Sequence, residues 1–189
     1  MFRYMCFGLL SVLISFGSAN AEEGALSPVK QYENAAGKLM AEMDEAQKAS
    51  YGIFLASYSS LSAVKGVREA VKTGIGSCGL QNPDRKETYD SKFEAWNKAL
   101  DETVVQADQV IENTIKVQRF APVVDLREVV EYFDAAMAFR ENEAKANEVP
   151  VSDLEGCDKL IDSMDETQEN LTRLIRESFG LDRQDSVTE

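Results

Sequence analysis

The chain of 189 residues contains no histidine, and this absence removes most of the common catalytic and metal-binding chemistry. Ser-His-Asp and Cys-His nucleophilic sites, the usual zinc sites, histidine-ligated haem and the Glu-x-x-His motif of di-iron bundles all need it. No phosphate-binding loop compensates, because GIGSCG at residues 74–79 follows a helical segment and lacks the Lys-Ser/Thr ending. We therefore predict a protein that is not an enzyme and that carries no cofactor or metal.

Long apolar runs are also scarce, and the longest lies at the N-terminus, over residues 4–16. It follows the basic Arg3 and precedes an A-x-A ending at Ala21. This order is typical of a cleaved secretory signal peptide, here residues 1–21, because the run is shorter than the roughly 20 residues that cross a bilayer. An uncleaved membrane anchor is the alternative. Cleavage predicts a periplasmic or secreted protein without membrane attachment.

Basic residues are few: 20 lysines and arginines face 33 aspartates and glutamates, for a net charge of −13. Loss of residues 1–21, whose only charged side chain is Arg3, makes the remaining chain one unit more negative. Such a surface repels phosphate backbones and anionic lipids. The charge therefore predicts no nucleic-acid binding and favours a protein partner, including one with a basic surface.

Alternating strand patterns are absent, and apolar residues recur at helical spacing from Pro28 to Phe179. We predict an all-α domain over residues 22–179, folded as an antiparallel four-helix bundle running up, down, up, down. A disordered tail is expected at residues 180–189. The predicted first helix covers about residues 29–73, with a kink or break near residues 50–60, where weak helix formers concentrate.

Glycine and proline set the other predicted boundaries. Gly74 and Gly76 are expected to end the first helix, and the other helices are expected to follow Pro83, Pro122 and Pro150. The expected caps are Asp125 for the third helix, Ser152 with Glu155 for the fourth, and Gly180 at the C-terminus. The second helix carries a continuous apolar face: Tyr89, Phe93, Trp96, Leu100, Val104, Ala107, Ile111 and Ile115. The fourth repeats every seven residues as in a coiled coil: Leu154, Cys157, Ile161, Met164, Gln168, Leu171 and Ile175.

Two of the three cysteines remain after cleavage, Cys78 and Cys157. In an up-down bundle, the connection after the first helix and the connection before the fourth lie at the same end. We therefore predict a Cys78–Cys157 disulfide, which an oxidising compartment favours. The apolar stripe of the third helix fades at this end, so packing there should be poor and the cross-link useful. A redox-active pair is the alternative, although no CxxC motif is present.

The fourth helix also carries carboxylates spaced by three and four residues. They are Glu155, Asp158, Asp162, Asp165 and Glu169. Because this spacing keeps them on one face, they form either a solvated surface paired with arginines of the same helix or a docking strip for a basic partner. A calcium site is the third alternative, although the face lacks a loop that gathers oxygens.

Taken with export and acidity, the missing catalytic residue types predict an exported, non-enzymatic bundle that binds another protein as an adaptor, chaperone-like factor or inhibitor. A small-ligand-binding bundle is the rival, with a cavity at the expected kink beside Tyr51, Phe54 and Tyr58. A second aromatic group that could line a pocket, Tyr89, Phe93 and Trp96, lies at the start of the second helix. Aromatic residues at helical spacing are usually core, however. Asn170 begins a glycosylation sequon, which is relevant only in a eukaryotic host.

Overall fold

The computed structural model describes residues 26–145, 151 and 153–181, and all regular structure within them is helical. This confirms the all-α prediction, but five helices pack together where four were expected. They are α1 (Pro28–Ala41), α2 (Glu45–Gln81), α3 (Lys86–Val117), α4 (Val123–Lys145) and α5 (Leu154–Phe179). A short 3-10 turn, Pro83–Arg85, precedes α3.

The predicted first helix is two helices, and the break lies at residues 42–44. Asp44 caps α2: its carboxylate accepts a hydrogen bond from the Gln47 backbone N–H at 2.8 Å. The Gln47 side chain accepts one in return from the Asp44 backbone N–H at 2.9 Å. This capping box satisfies N–H groups that a helix N-terminus otherwise leaves unpaired. The Asp-x-x-Gln spacing was the sequence signal for this break.

No helix break occurs near residues 50–60, because α2 continues through them without interruption. The serines that suggested the kink have hydrogen-bond partners within the helical structure. Ser60 Oγ donates to the carbonyl of Ala56, and Ser57 Oγ donates to the carbonyl of Ser178 in α5. The helix thus accommodates both hydroxyls without a break in its backbone hydrogen bonds.

Helix α2 also continues past Gly74 and Gly76, so the prediction that these glycines end it is wrong. A Cβ at Gly74 would lie 2.9 Å from Cδ2 of Leu160 in α5. The missing side chain thus allows α2 and α5 to approach closely. Because α2 extends to Gln81, Cys78 lies in the last turn of this helix and not in a connecting turn.

The other boundaries agree more closely with the proline and glycine positions. Helix α4 begins directly after Pro122, which places Asp125 inside its first turn and not at the cap. Ser152 lies outside the described residues; Asp153 caps α5 by accepting a hydrogen bond from the Gly156 backbone N–H. Gly180 closes α5 with a φ of 62°, a left-handed conformation that favours glycine.

Two clusters of buried side chains form the core. The first cluster joins α1 and α4 to the N-terminal half of α2, the C-terminal half of α3 and the end of α5. Its members include Leu39, Phe54, Leu61, Ile111, Leu126 and Ile175. The second joins α2, α3 and α5 and includes Ile75, Cys78, Tyr89, Trp96, Leu100, Cys157 and Met164. Helix α1 packs chiefly on α4, whereas α2, α3 and α5 pack on one another. One residue of the predicted tail, Leu181, is buried in the first cluster.

The predicted disulfide is present between Cys78 and Cys157, whose Cα atoms lie 5.7 Å apart. Both cysteines are completely buried in the second cluster. Beside them, Trp96 Nε1 donates a hydrogen bond to the carbonyl of Met164 at 2.7 Å. The cross-link therefore joins the end of α2 to the beginning of α5 within a packed core.

Candidate functional site

The C-terminal third of α4 is the least packed part of the described bundle. Helix α4 contributes Leu126, Val129 and Ala136 to the buried residues, but none of residues 137–144 is buried. Met137 and Phe139 remain 37% and 36% exposed. This agrees with the apolar stripe that fades in the sequence, and it leaves a gap between α4 and α2.

That gap is an open groove of about 660 Å³. Its α2 wall includes Ala63, Gly66, Val67 and Ala70, and its α4 wall includes Met137 and Ala138. A Cβ added at Gly66 would meet no atom within 4 Å, so the α2 wall borders open space at this position. The α2–α4 groove is thus apolar and bordered by small side chains on its α2 side.

Helix α1 lies against the part of α4 that precedes the groove. The rings of Tyr32 in α1 and Tyr58 in α2 both meet the edge of Phe133, with centroid distances of 5.4 and 5.5 Å. Helix α1 begins at Pro28, about one turn before Tyr32. The two tyrosines therefore place the start of the α2–α4 groove, at Tyr58 and Asp134, beside the contact between α1 and α4.

Charged groups at the groove have partners within the bundle. Asp134 accepts a hydrogen bond from the Tyr58 hydroxyl at 2.7 Å, and Lys65 forms a 2.7 Å salt bridge with Asp108 of α3. Burial, followed by the hydrogen bond to Asp134, raises the pKa of Tyr58 well above its ordinary value. Glu69 lies 3.5 Å from Lys72, one turn along α2. Arg140 and Glu141 also line the groove, which therefore has an apolar interior and charged residues on both helices.

The acidic strip of α5 is partly paired inside the molecule. Asp158 binds Arg85 and Asp165 binds Lys92, each at 2.7 Å and each across to the α3 side. Both pairs are spaced by seven residues, so α3 and α5 run parallel in matched register.

Within its own helix, Glu155 pairs with Lys159 at 2.6 Å. Arg173, expected to pair with the strip, donates instead to the Asn170 side chain. In the described part of the chain, Asp162 and Glu169 form no salt bridge and are exposed. These two carboxylates are the part of the strip that remains available to a partner.

The aromatic residues weighed as a pocket lining are core. Tyr51 and Phe54 are buried, Tyr58 is half-buried, and Tyr89 and Trp96 are buried in the second cluster. Burial, with a smaller contribution from Tyr32, raises the pKa of Tyr51 to about 12. The rings of Tyr51 and Phe54 pack against Phe120, whereas Tyr58 lies at one end of the α2–α4 groove.

Among the described residues, no group of three or more cysteines or carboxylates is placed to hold a metal ion. Nor is any described helix both long enough and apolar enough to cross a membrane. Comparison with protein-family models, curated proteins and solved structures gives no match. The class that the fold defines is therefore an all-helical, disulfide-linked bundle with an open apolar groove.

Proposed function

We propose that this protein is an exported, non-enzymatic helical bundle that binds another protein, as an adaptor, chaperone-like factor or inhibitor. The observation that carries the proposal is the α2–α4 groove, an open, largely apolar surface between two helices of the described chain. Contiguous exposed apolar surface on a soluble domain commonly marks an interaction site. The groove thus replaces the acidic strip as the leading docking surface.

Export to the periplasm or to the exterior is part of the same proposal. The signal-peptide pattern of residues 1–21 and the Cys78–Cys157 disulfide support it, because disulfides persist in oxidising compartments. Mass spectrometry of the exported protein should find Glu22 as its first residue. A chain that retains residues 1–21 after export would contradict the cleavage and would favour the membrane-anchor alternative.

We also propose that α2, α3, α4 and α5 alternate in direction as an up-down-up-down bundle, with α1 added against α4. The contact of Ser57 with Ser178 and the Cys78–Cys157 bond support opposite directions for α2 and α5. Tyr58 and Asp134, which are joined by a hydrogen bond, are the first lining residues of the groove on α2 and α4, and Ala70 and Ala144 are the last; this order supports parallel α2 and α4. In this arrangement the groove lies between helices that run in the same direction.

A small-ligand-binding protein is the second candidate, and the size of the groove favours it. The volume of about 660 Å³ falls within the roughly 300–1,000 Å³ of small-molecule sites. Melting curves against a panel of metabolites separate the candidates. A rise of several degrees with one small molecule, abolished by Val67→Glu, would favour the ligand over the protein partner.

Capture of partners from the native compartment tests the leading candidate and identifies the surface used. Val67→Glu places a charge in the groove and should abolish capture. Reversal of Asp162 and Glu169 to lysine changes only the unpaired part of the acidic strip and should leave capture intact. The opposite result would assign the binding site to the acidic strip of α5 and support a basic partner. In that case Val67→Glu would still capture the partner, the charge-reversal variant would not, and capture would weaken steeply as salt rises.

A further inference from the structure

We propose that Val151 controls the access of dithiols to the Cys78–Cys157 disulfide, so that thiol–disulfide exchange at this bond occurs while the rest of the bundle stays folded. The inference goes beyond the proposed function, because it concerns covalent chemistry at one end of the bundle and not the partner-binding surface. It rests on the contacts of the two sulfur atoms and on the packing of Val151.

The disulfide has no surface that a reagent can reach directly. Both cysteines are completely buried, and exchange requires a thiolate to touch one of the sulfur atoms. The bond belongs to the second cluster, in which Ile75, Tyr89 and Trp96 are each only 2% exposed. A route through this cluster would require the separation of α2, α3 and α5. A dithiol must therefore approach from the other side of the bond.

Residues outside the second cluster contact the bond as well. The carbonyl oxygen of Val151 lies 3.7 Å from Cys78 Sγ, and Asn82 Nδ2 lies 3.9 Å from Cys157 Sγ. Asn82 is held in place, because its backbone N–H and its side-chain amide donate to the Cys78 carbonyl at 2.9 and 3.1 Å. A disulfide sulfur has no proton to donate, so Val151 makes only a van der Waals contact with it. Val151 is therefore the contact that is lost more easily.

The packing of Val151 is also limited. Its side chain lies beside Gly156 of α5, where an added Cβ would be 2.8 Å from Val151 Cγ1, and it remains 41% exposed. The end of α4, which precedes Val151 in the chain, has no buried residue from 137 to 144. Weakly packed segments open at a small fraction of the free energy of global unfolding. Displacement of Val151 should therefore be much easier than separation of the helices.

The exchange needs no protein group besides the two cysteines. A dithiol attacks one sulfur as its thiolate and forms a mixed disulfide, while the other cysteine leaves as a thiolate and takes up a proton. The second thiol of the reagent then displaces the remaining cysteine. The products are two cysteine thiols and the oxidised, cyclic reagent, and an oxidised dithiol reverses both steps.

The probe is dithiothreitol, added to the oxidised, exported protein at several urea concentrations below the unfolding transition. Alkylation of the new thiols, followed by mass spectrometry, gives the rate of reduction. Because displacement of Val151 exposes little surface, this rate should change less than about twofold over the urea range. A rate that rises with urea as steeply as the population of unfolded protein would overturn the inference, because the bond would then be reached only by unfolding.

Two glycines, each next to one of the cysteines, provide a matched pair of variants. In Gly156→Ala the new Cβ meets Val151 and should displace it. In Gly79→Ala the new Cβ lies 3.0 Å from Cγ of the exposed Lys86. Reduction should accelerate at least about tenfold in Gly156→Ala and less than about twofold in Gly79→Ala. Equal acceleration in the two variants would overturn the role of Val151.

Val151→Gly is the second variant, because the new Cβ of Gly156→Ala also lies 3.2 Å from the capping carboxylate of Asp153. It removes the Val151 side chain without adding an atom near Asp153, and it should accelerate reduction at least about tenfold. An unchanged rate would overturn the inference. Urea unfolding of each oxidised variant is the control. An acceleration no larger than the increase in unfolded protein would also overturn the inference, since global unfolding would then explain it.

Discussion

Removal of the Cys78–Cys157 disulfide should strongly destabilise the bundle. The bond joins residues 79 positions apart. In the chain-entropy treatment, closing a loop of this length lowers the entropy of the unfolded chain enough to stabilise the fold by about 4.5 kcal/mol. This is a large fraction of the roughly 5–15 kcal/mol that stabilises a typical domain.

The location of the bond supports a large effect. Near the Cys78 end of α2, the described packing partners are α3 and α5, because α4 does not cover α2 beyond the groove. Among the described contacts, the packing of the second core cluster and exposed ion pairs such as Arg85–Asp158 would still hold the start of α5 without the bond. Exposed ion pairs contribute only about 0–1 kcal/mol each.

The measurement is urea unfolding of oxidised protein, reduced protein and the double variant Cys78→Ala/Cys157→Ala, followed by circular dichroism. Reduction should lower the free energy of unfolding by about 3–5 kcal/mol. The double variant should lose somewhat more, because it also removes two buried sulfur atoms. Oxidised and reduced proteins that unfold at the same urea concentration would refute the reasoning, as would free thiols in protein recovered from its native compartment.

Three further predictions follow from particular contacts. Trp96→Phe removes part of the ring system and the 2.7 Å hydrogen bond to the Met164 carbonyl. In chemical denaturation it should lower the free energy of unfolding by about 1–3 kcal/mol. An unchanged denaturation midpoint would contradict the packing described for the second cluster. Gly66→Ala should raise the free energy of unfolding by about 0.5–1 kcal/mol, because its Cβ enters open space. Gly74→Ala should raise it less or lower it, because its Cβ meets Leu160 of α5 at 2.9 Å. Equal effects of the two variants in thermal melts would show that α2 and α5 are not closely packed. Tyr51, with its pKa raised to about 12, should ionise later than the ordinary tyrosine value of about 10, as followed by the ultraviolet absorbance of tyrosinate. Its contribution to stability is complete below about pH 10 and is lost as the pH rises towards 12, since the neutral phenol is the buried form; ionisation of every tyrosine near pH 10 in folded protein would contradict its burial.

Apolar spacing alone predicted which faces of the helices become core. The face of α3 is buried along most of its length, from Tyr89 through Trp96 and Leu100 to Ile115. The reason is that a helix exposes the same side to its neighbours every three or four residues, so a long apolar stripe has one energetically favourable orientation.

The disulfide could also be predicted, even though the helix count was wrong. Cys78 and Cys157 meet because the connections that follow α2 and precede α5 lie at one end of the bundle. The unforeseen break at residues 42–44 precedes both connections and does not change their relative positions. The disulfide prediction therefore did not depend on whether the segment before Cys78 forms one helix or two.

Other features depended on contacts between helices distant in sequence. Glycine at position 74 signals a helix end when read alone, but against Leu160 it allows two helices to pack closely. The pairing of Asp158 and Asp165 with the α3 side follows from the parallel register of α3 and α5 and is absent from either helix sequence by itself. The α2–α4 groove likewise lies between two helices that are far apart in the sequence. The local spacing of apolar residues determined the helices and their apolar faces. The surface left for a partner was decided by the packing between helices, because that packing joins segments far apart in the chain.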